Sequence, residues 1–331
     1  MRRRRAPPHR LRHLRHLPRT SGRGAAAVGA SPSAANPSEG AAAGRDRRAG
    51  PRPVVLDAMG GDDAPATPLE AAAIARRAGI EVRLCGPSTV VGPDGLHAPE
   101  RIAMDEDPAF TLRARPRASI RVAARAVAEG RAVALVSAGP TGATVGAALL
   151  ELGREPGIRR PVVAARLDVG GRHVVLCDVG AAVDPDASTL ASHAGLGRDY
   201  ARRLGIAEPR IGLLNIATEP GRGTAVVKEA AGLLAELDGF IGSVEPAGVL
   251  AGAADVVVTD GFTGNLVLKT LEAAAGTGHG GDRAAVVLGV RGTVLVAHGA
   301  ASATDLAHAV RWAATIGGSD ATADDSRGQR P

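Results

Sequence analysis

Residues 254–272 read ADVVVTDGFTGNLVLKTLE. Ala254 to Val258 make a β-branched run, apolar apart from Asp255, Thr259 to Asn265 a short loop rich in glycine, hydroxyl and amide residues, and Leu266 to Glu272 the Leu-rich opening of a helix. Strand, glycine-containing loop and helix, in that order, form the repeating unit of a parallel α/β sheet. The same unit recurs upstream. Val54-Val55-Leu56 runs into Asp57–Pro65 and a helical stretch from Leu69 to Ala78, and Val133–Val136 runs into Ser137-Ala138-Gly139-Pro140-Thr141-Gly142 and an Ala/Leu-rich helix. Val174–Cys177 leads to Asp178–Asp184, Ile211–Leu214 to Asn215–Gly223, and a last strand, Thr293–Ala297, ends at His298-Gly299. In open α/β sheets the ligand crevice lies beyond the carboxyl ends of the strands, so these loops are expected to converge on one cleft. The fold class that follows is α/β, a three-layer sandwich, with residues 53–315 as one unit and 316–331 as a disordered tail.

The first 52 residues stand apart. They hold 13 Arg against Glu39 and Asp46 and few large apolar side chains, so no core can be built from them. That stretch is either a solvated disordered arm, an Arg-rich anchor for acidic surfaces, or upstream sequence included by an early start codon, and the last reading is adopted here. Its +11 exceeds the formal +6 of the chain and leaves about −5 on the other 279 residues. The sequence pI near 10.4 is thus a property of the tail. With five aromatic residues in the chain and no nucleic-acid motif, a nucleic-acid partner is not expected. No secretory apolar core follows the arginines, and the longest apolar run, Ala284 to Ala297, is short and broken by Arg291. Cys85 and Cys177 have no close partner of the kind that metal or redox motifs need. These features fit a cytoplasmic protein.

Each loop offers glycine for close backbone approach, small hydroxyls and the N–H groups of a following helix, a combination that suits anions and phosphate above all. Equally, glycine can do no more than end helices and strands in a Gly-rich chain. No Walker loop, GxGxxG fingerprint, Gly-x-Ser-x-Gly elbow or HExxH helix occurs. No cofactor or metal is therefore expected. A reaction whose nucleophile is itself a bound substrate needs positioning and an oxyanion site, and phosphate attacking a thioester carbonyl is such a reaction.

The blocks DAMGGDDAP, IAMDEDPAF, VSAGPTGA, CDVGAAVD, IGLLNIATEPGRG, FIGSVEP, VVVTDGFTGNLVLKTLE and VLGVRGTVLVAHG resemble, in order and spacing, the phosphate acyltransferase (PlsX) family over roughly residues 54–311. The resemblance implies a Rossmann-like α/β/α sandwich akin to phosphotransacetylases. It implies transfer of an acyl group from acyl carrier protein to inorganic phosphate in phospholipid synthesis, by a homodimer loosely associated with the membrane surface. On this resemblance Gly60, Gly61, Ser137, Thr141 and Gly142 are expected to contact phosphate and pantetheine, with Asn215 among the binding residues. Thr263, Gly264 and Asn265 would offer N–H groups to the carbonyl oxyanion, and Lys269 would offset phosphate charge. Asp57, Asp178 and Asp260 either order these loops, handle protons, or cap a helix or turn. Lys269 also reads as a solvated helix lysine, His298 as a partner for a carbonyl, and Arg222 and Lys228 as an anion or carrier-docking surface or as solvated residues. Asp63 stands where the family has His, Pro140 and Ala182 where it has Asn, and Ala217-Thr218 where it has Gly-Glu. The stretch between Glu272 and Leu288 is far shorter than the family's helical segment there, so a short loop is expected. The alternatives are a phosphotransacetylase-like enzyme acting on acyl-CoA and a catalytically impaired paralogue that acts as a binding protein.

Overall fold

The computed structural model describes residues 52–275 and 284–327. The calls on residues 1–51 and 328–331 lie outside them. In chain order the elements are β1 (Val54–Asp57), α1 (Ala66–Arg77), β2 (Val82–Gly86), α2 (Ser88–Val91), β3 (Leu96–His97), α3 (Pro108–Ala114), α4 (Ser119–Ala128), β4 (Ala134–Ser137) and α5 (Thr141–Glu151). There follow β5 (Val162–Val169), β6 (Arg172–Cys177), α6 (Ala187–Arg203), β7 (Ile211–Leu214), α7 (Ala225–Leu234), β8 (Phe240–Val244) and α8 (Pro246–Leu250). The last are β9 (Val256–Val258), α9 (Gly261–Ala275), β10 (Ala284–Leu288), β11 (Thr293–Ala297) and α10 (Ala303–Arg327). The strands form one 11-stranded sheet in the order β3-β2-β1-β4-β11-β10-β5-β6-β9-β7-β8.

Central strands such as β1, β4, β7, β9 and β11 are buried at every position. Helices on both faces exclude water from them, which is why they read as unbroken apolar runs and not as alternating ones. Leu190 of α6, Leu234 of α7 and Leu306 of α10 belong to the core on one face, together with the alanines of α1. On the other face Leu112 of α3, Ile120 of α4, Val145 of α5 and Val249 of α8 pack in the second core, against which Val267, Leu268 and Leu271 of α9 lie.

The strands do not all point the same way. β3, β2, β1, β4 and β11 are mutually parallel, and so are β6, β9, β7 and β8, but β10 and β5 between them pair antiparallel on both sides. The two parallel blocks therefore run in opposite directions, and their carboxyl ends lie at opposite ends of the sheet. Convergence of all loops beyond one common edge is thus corrected. Twist restores a meeting point: four strand-to-strand steps separate β4 from β6, and at roughly 20–25° each they rotate one block against the other by about 80–100°. A sheet twisted that far is saddle-shaped, and its diagonally opposite corners curl toward the same face. That face carries α5 and α9.

The boundary set at residue 315 also shifts. α10 continues through Arg327, and Gly317 lets it lie directly on β4, since a methyl group there would sit 2.6 Å from the Val133 carbonyl oxygen. Of the shortened segment after Glu272, α9 takes up residues to Ala275 and β10 begins at Ala284, while 276–283 fall outside the described residues.

Candidate active site

Asp57 is the last residue of β1 and is 3% exposed, and Ser137 closes β4 at 0%. The Asp57 carboxylate accepts the Met59 N–H at 3.1 Å and the Ser137 hydroxyl at 2.9 Å, and Ser137 Oγ in turn accepts the Gly139 N–H at 3.0 Å. Gly60 lies so close that a side chain would meet Gly139 N and Ser137 Oγ at 2.7 Å. Gly61, at φ +111°, is pressed between Ala138 and the Gly299 carbonyl, to which the Asp62 N–H donates at 2.9 Å. The ends of β1, β4 and β11 are therefore one packed body. Asp57 and Ser137 shape it from within and do not face solvent, so their expected substrate contacts are replaced by a positioning role. A small cavity lined by Asp57, Ser119, Ser137, Gly139, Pro140 and Thr144 lies between this body and the start of α5. Ser119 opens α4 and Thr144 lies on α5; for Ser119 the available sign in the sequence is a Ser shortly after the helix-ending Arg115-Pro116 pair.

Burial holds the Asp57 carboxyl above its ordinary value near 3.8, against the opposing pull of hydrogen bonds from Ser119, Met59 and Ser137. The folded state thus keeps a proton at pH values where the unfolded chain has lost it, so stability falls as pH rises from about 3.8 through the raised value. Asp57→Asn is expected to melt higher than the parent at pH 7, with the difference vanishing toward pH 3.5, and to lose turnover. Thermal melts of both proteins across that range check the sign, and an Asn variant less stable at pH 7 contradicts it.

The second body is built from the ends of β6 and β9. Asp178 is fully buried. Its carboxylate accepts the N–H groups of Val163 at 3.1 Å, Gly180 at 3.1 Å, Ala181 at 3.0 Å and Ala182 at 2.5 Å. The loop after β6 is an anion nest filled by its own aspartate, so Asp178 cannot also bind substrate as expected. The Gly261 N–H donates to the Ala182 carbonyl at 2.7 Å and ties the start of α9 to this loop. Asp260 caps α9, taking the Thr263 N–H and the Thr263 hydroxyl at 2.7 Å each, while the Gly264 N–H donates to the Asp260 carbonyl at 2.9 Å. Thr263 and Gly264 therefore spend their N–H groups inside the helix, which removes them as oxyanion donors. Asn265 is exposed on the first turn of α9, and Lys269 one turn on is exposed and pairs with Glu272 at 3.0 Å. Asn215 is buried and serves its own loop, donating to the Arg222 carbonyl and to Ser243 Oγ while accepting the Ile216 N–H. His298 is exposed and accepts the Ala300 N–H at 3.1 Å.

The two bodies meet where a methyl group built on Gly180 would lie 3.9 Å from Thr141 Cγ2. Thr141 and Gly142 open α5, and Pro140 before them makes no side-chain cap. Gly142 is exposed there, and Pro108 at the start of α3 lies against it. Cys85 and Cys177 are buried with their thiols held far above the usual range, chiefly by desolvation, which excludes either as a nucleophile.

Residues 53–279 match a sequence family described as "Fatty acid synthesis protein". A phosphate acyltransferase of Myxococcus xanthus is 44% identical over 236 residues, covering 66% of this chain and 67% of that protein. One from Thermobifida fusca is 38% identical over 313 residues, covering 79% and 86%.

The chain belongs to the phosphate acyltransferase (PlsX) family.

Membership makes it an acyltransferase of fatty acid and phospholipid synthesis. Among solved structures a phosphotransacetylase of Streptococcus pyogenes aligns with a TM-score of 0.60 at 22% identity, covering 80% of this chain and 94% of that one. The EutD phosphotransacetylase of Staphylococcus aureus gives 0.59 at 18%, with the same coverages. The fold is therefore the three-layer α/β/α, Rossmann-like sandwich of those structures.

Proposed function

We propose that this enzyme transfers an acyl group from the thioester of an acyl carrier protein to inorganic phosphate, within a single unit that begins at residue 53 and ends with α10. The observation that carries the reading is the meeting of Thr141 and Gly180 across the cleft, beside a start of α5 that no side chain caps. Phosphate is held there by the Thr141 hydroxyl and by first-turn N–H groups of α5 at the positive end of the helix. Gly60 and Gly61 supply the close backbone wall on one side. A phosphate oxygen attacks the thioester carbonyl carbon, the C–S bond breaks, and the carrier thiol leaves with the acyl phosphate formed. Phosphate is the nucleophile, so alignment and oxyanion stabilisation do the catalytic work. Asn265, exposed near the start of α9, would donate its side-chain amide to the carbonyl oxygen, and Asp260 caps that helix. A cytoplasmic homodimer loosely associated with the membrane surface accompanies this reading; among the described residues no helix is long and apolar enough to cross a membrane.

Purified protein given acyl-carrier thioester should release thiol only when inorganic phosphate is present, with acyl phosphate trapped by hydroxylamine. Thiol release independent of phosphate overturns the reading. Faster turnover of acyl-CoA than of the carrier thioester would instead favour the phosphotransacetylase-like alternative.

A further inference from the structure

We propose that Arg154, Arg159, Arg160 and Arg291 form the docking surface for the acidic carrier protein that presents the acyl thioester. The proposal rests on the carrier-dependent reading of the cleft. All four residues are exposed. They come from two segments that the sheet joins, since Arg154 bridges Val290, the Glu155 N–H donates to the Gly289 carbonyl and the Arg291 N–H to the Gly153 carbonyl.

Four guanidiniums stand here against Glu155 of the same segment and Asp186, so the group keeps a net positive charge. Arg154 donates to the Arg159 carbonyl at 2.8 Å and Arg291 to the Leu152 carbonyl at 3.1 Å, contacts that fix the guanidiniums without neutralising them. Gly153 has no side chain to hold Arg291 off, since a methyl there would sit 2.6 Å from its Nη2. Arg159 stands 3.4 Å from an Asp186 carboxylate oxygen, with both groups mostly exposed and so weakly coupled. Several other arginines are paired at close range: Arg115 with Glu106, Arg121 and Arg125 with the shared Glu151, Arg172 and Arg210 with the shared Asp255. A basic cluster on a body of about −5 overall is where an acidic partner is drawn while the remaining surface repels it. Guanidiniums already anchored to carbonyls also lose less rotamer freedom on binding.

Its position fits the task. Arg159 also donates to Ser188 Oγ at 3.1 Å, at the start of α6, the helix entered directly from the Asp178–Asp186 loop whose Gly180 faces Thr141. A carrier seated on these arginines stands at the edge of that loop, from which a flexible thioester arm can enter the cleft.

The test uses the full chain with Arg159→Glu/Arg160→Glu, the pair that holds no main-chain carbonyl in place. KM for the acyl-carrier thioester is expected to rise about tenfold or more with kcat little changed, and its dependence on salt to flatten. Turnover of the acyl-pantetheine thioester, which lacks the carrier, should stay within twofold of the parent. Fluorescence anisotropy of the labelled carrier without its acyl group should show the same loss of affinity, and this readout needs no catalysis. Should the Glu pair fold poorly, Arg159→Gln/Arg160→Gln decides, with an intermediate loss expected. Equal carrier affinity in parent and variant overturns the surface, as does a parallel fall with acyl-pantetheine, or loss of binding to anionic vesicles with carrier binding intact. Carrier binding that depends on the arginines in a protein that turns over no thioester would sink the proposed reaction and leave the surface standing.

Discussion

Gly264→Ala is expected to abolish measurable turnover and to lower the melting temperature. The Cβ of an alanine at this position would lie 1.9 Å from the Asp178 carbonyl oxygen and 2.9 Å from Thr259 Cγ2. The nearest obstacle is main chain, so no rotamer change relieves it. Either α9 or the β6 loop must move, and both are committed: Gly261 holds the Ala182 carbonyl, and Asp178 N–H donates to the Thr259 carbonyl at 3.0 Å. Overpacking of this kind costs about 1–3 kcal/mol and sometimes more. The larger effect falls on activity, because lifting α9 carries Asn265 away and shifts Gly180 against Thr141. Gly232→Ala in α7 is the control, since a methyl there meets nothing within 4 Å and should be neutral or stabilising by up to about 1 kcal/mol. Melting curves and phosphate-dependent thiol release on both variants check the pair. A Gly264→Ala enzyme with parental kcat would show that the contact between α9 and the β6 loop does not set the site.

Much of this architecture is written in the chain, and the part that is not has a physical reason. β7 and β11 begin and end where the apolar runs Ile211–Leu214 and Thr293–Ala297 do, because strands buried on both faces must be apolar throughout. Two of the strands that the sequence does not announce are of another kind. β8 contains Gly242 and lies at the edge of the sheet, where its partly exposed residues give no clean pattern. β3 has two residues, too few for any period. The reversal of the second half was missed although its sign is present: Gly170-Gly171, at φ +59° and +79°, join β5 to β6 as a two-residue hairpin with Val169 opposite Arg172. Gly-Gly between two apolar runs is the strongest short-range hairpin signal after Asn-Gly and Asp-Gly, and it turns β6 to β10 around before β11 returns to the direction of the first block. In the site, glycines and aspartates at strand ends were legible as residue types. Which of them face solvent was not, because burial of Asp57, Ser137 and Asp178 depends on loops from strands far apart in sequence. Pro140 shows the same limit. Taken alone it removes a donor, whereas in the fold it leaves the start of α5 without a side-chain competitor for an anion.

Asp178→Asn should be the most damaging change of a single charge. The two carboxylate oxygens are shared among the N–H groups of Val163, Gly180, Ala181 and Ala182, and Ala182 is bonded to Oδ2 alone. Asparagine preserves the shape but puts an NH2 group on one side, so that whichever way the amide turns, a donor faces donors. If the amide keeps its carbonyl toward Val163 and Gly180, the Ala182 N–H loses its acceptor in a site with no exposure to water. A buried donor left unsatisfied costs about 1–3 kcal/mol, and more when the lost acceptor carried charge, so about 2–4 kcal/mol is expected from urea unfolding. Asp178→Ala leaves all four donors without their acceptor and should fall further. The loss of activity should exceed the loss of stability at temperatures where the variant remains folded, because the same loop carries Gly180 to Thr141 and the Ala182 carbonyl to Gly261. An Asn variant with the parent's urea midpoint and kcat would mean that the nest closes without its anion, and the geometry assigned to the cleft would have to be given up.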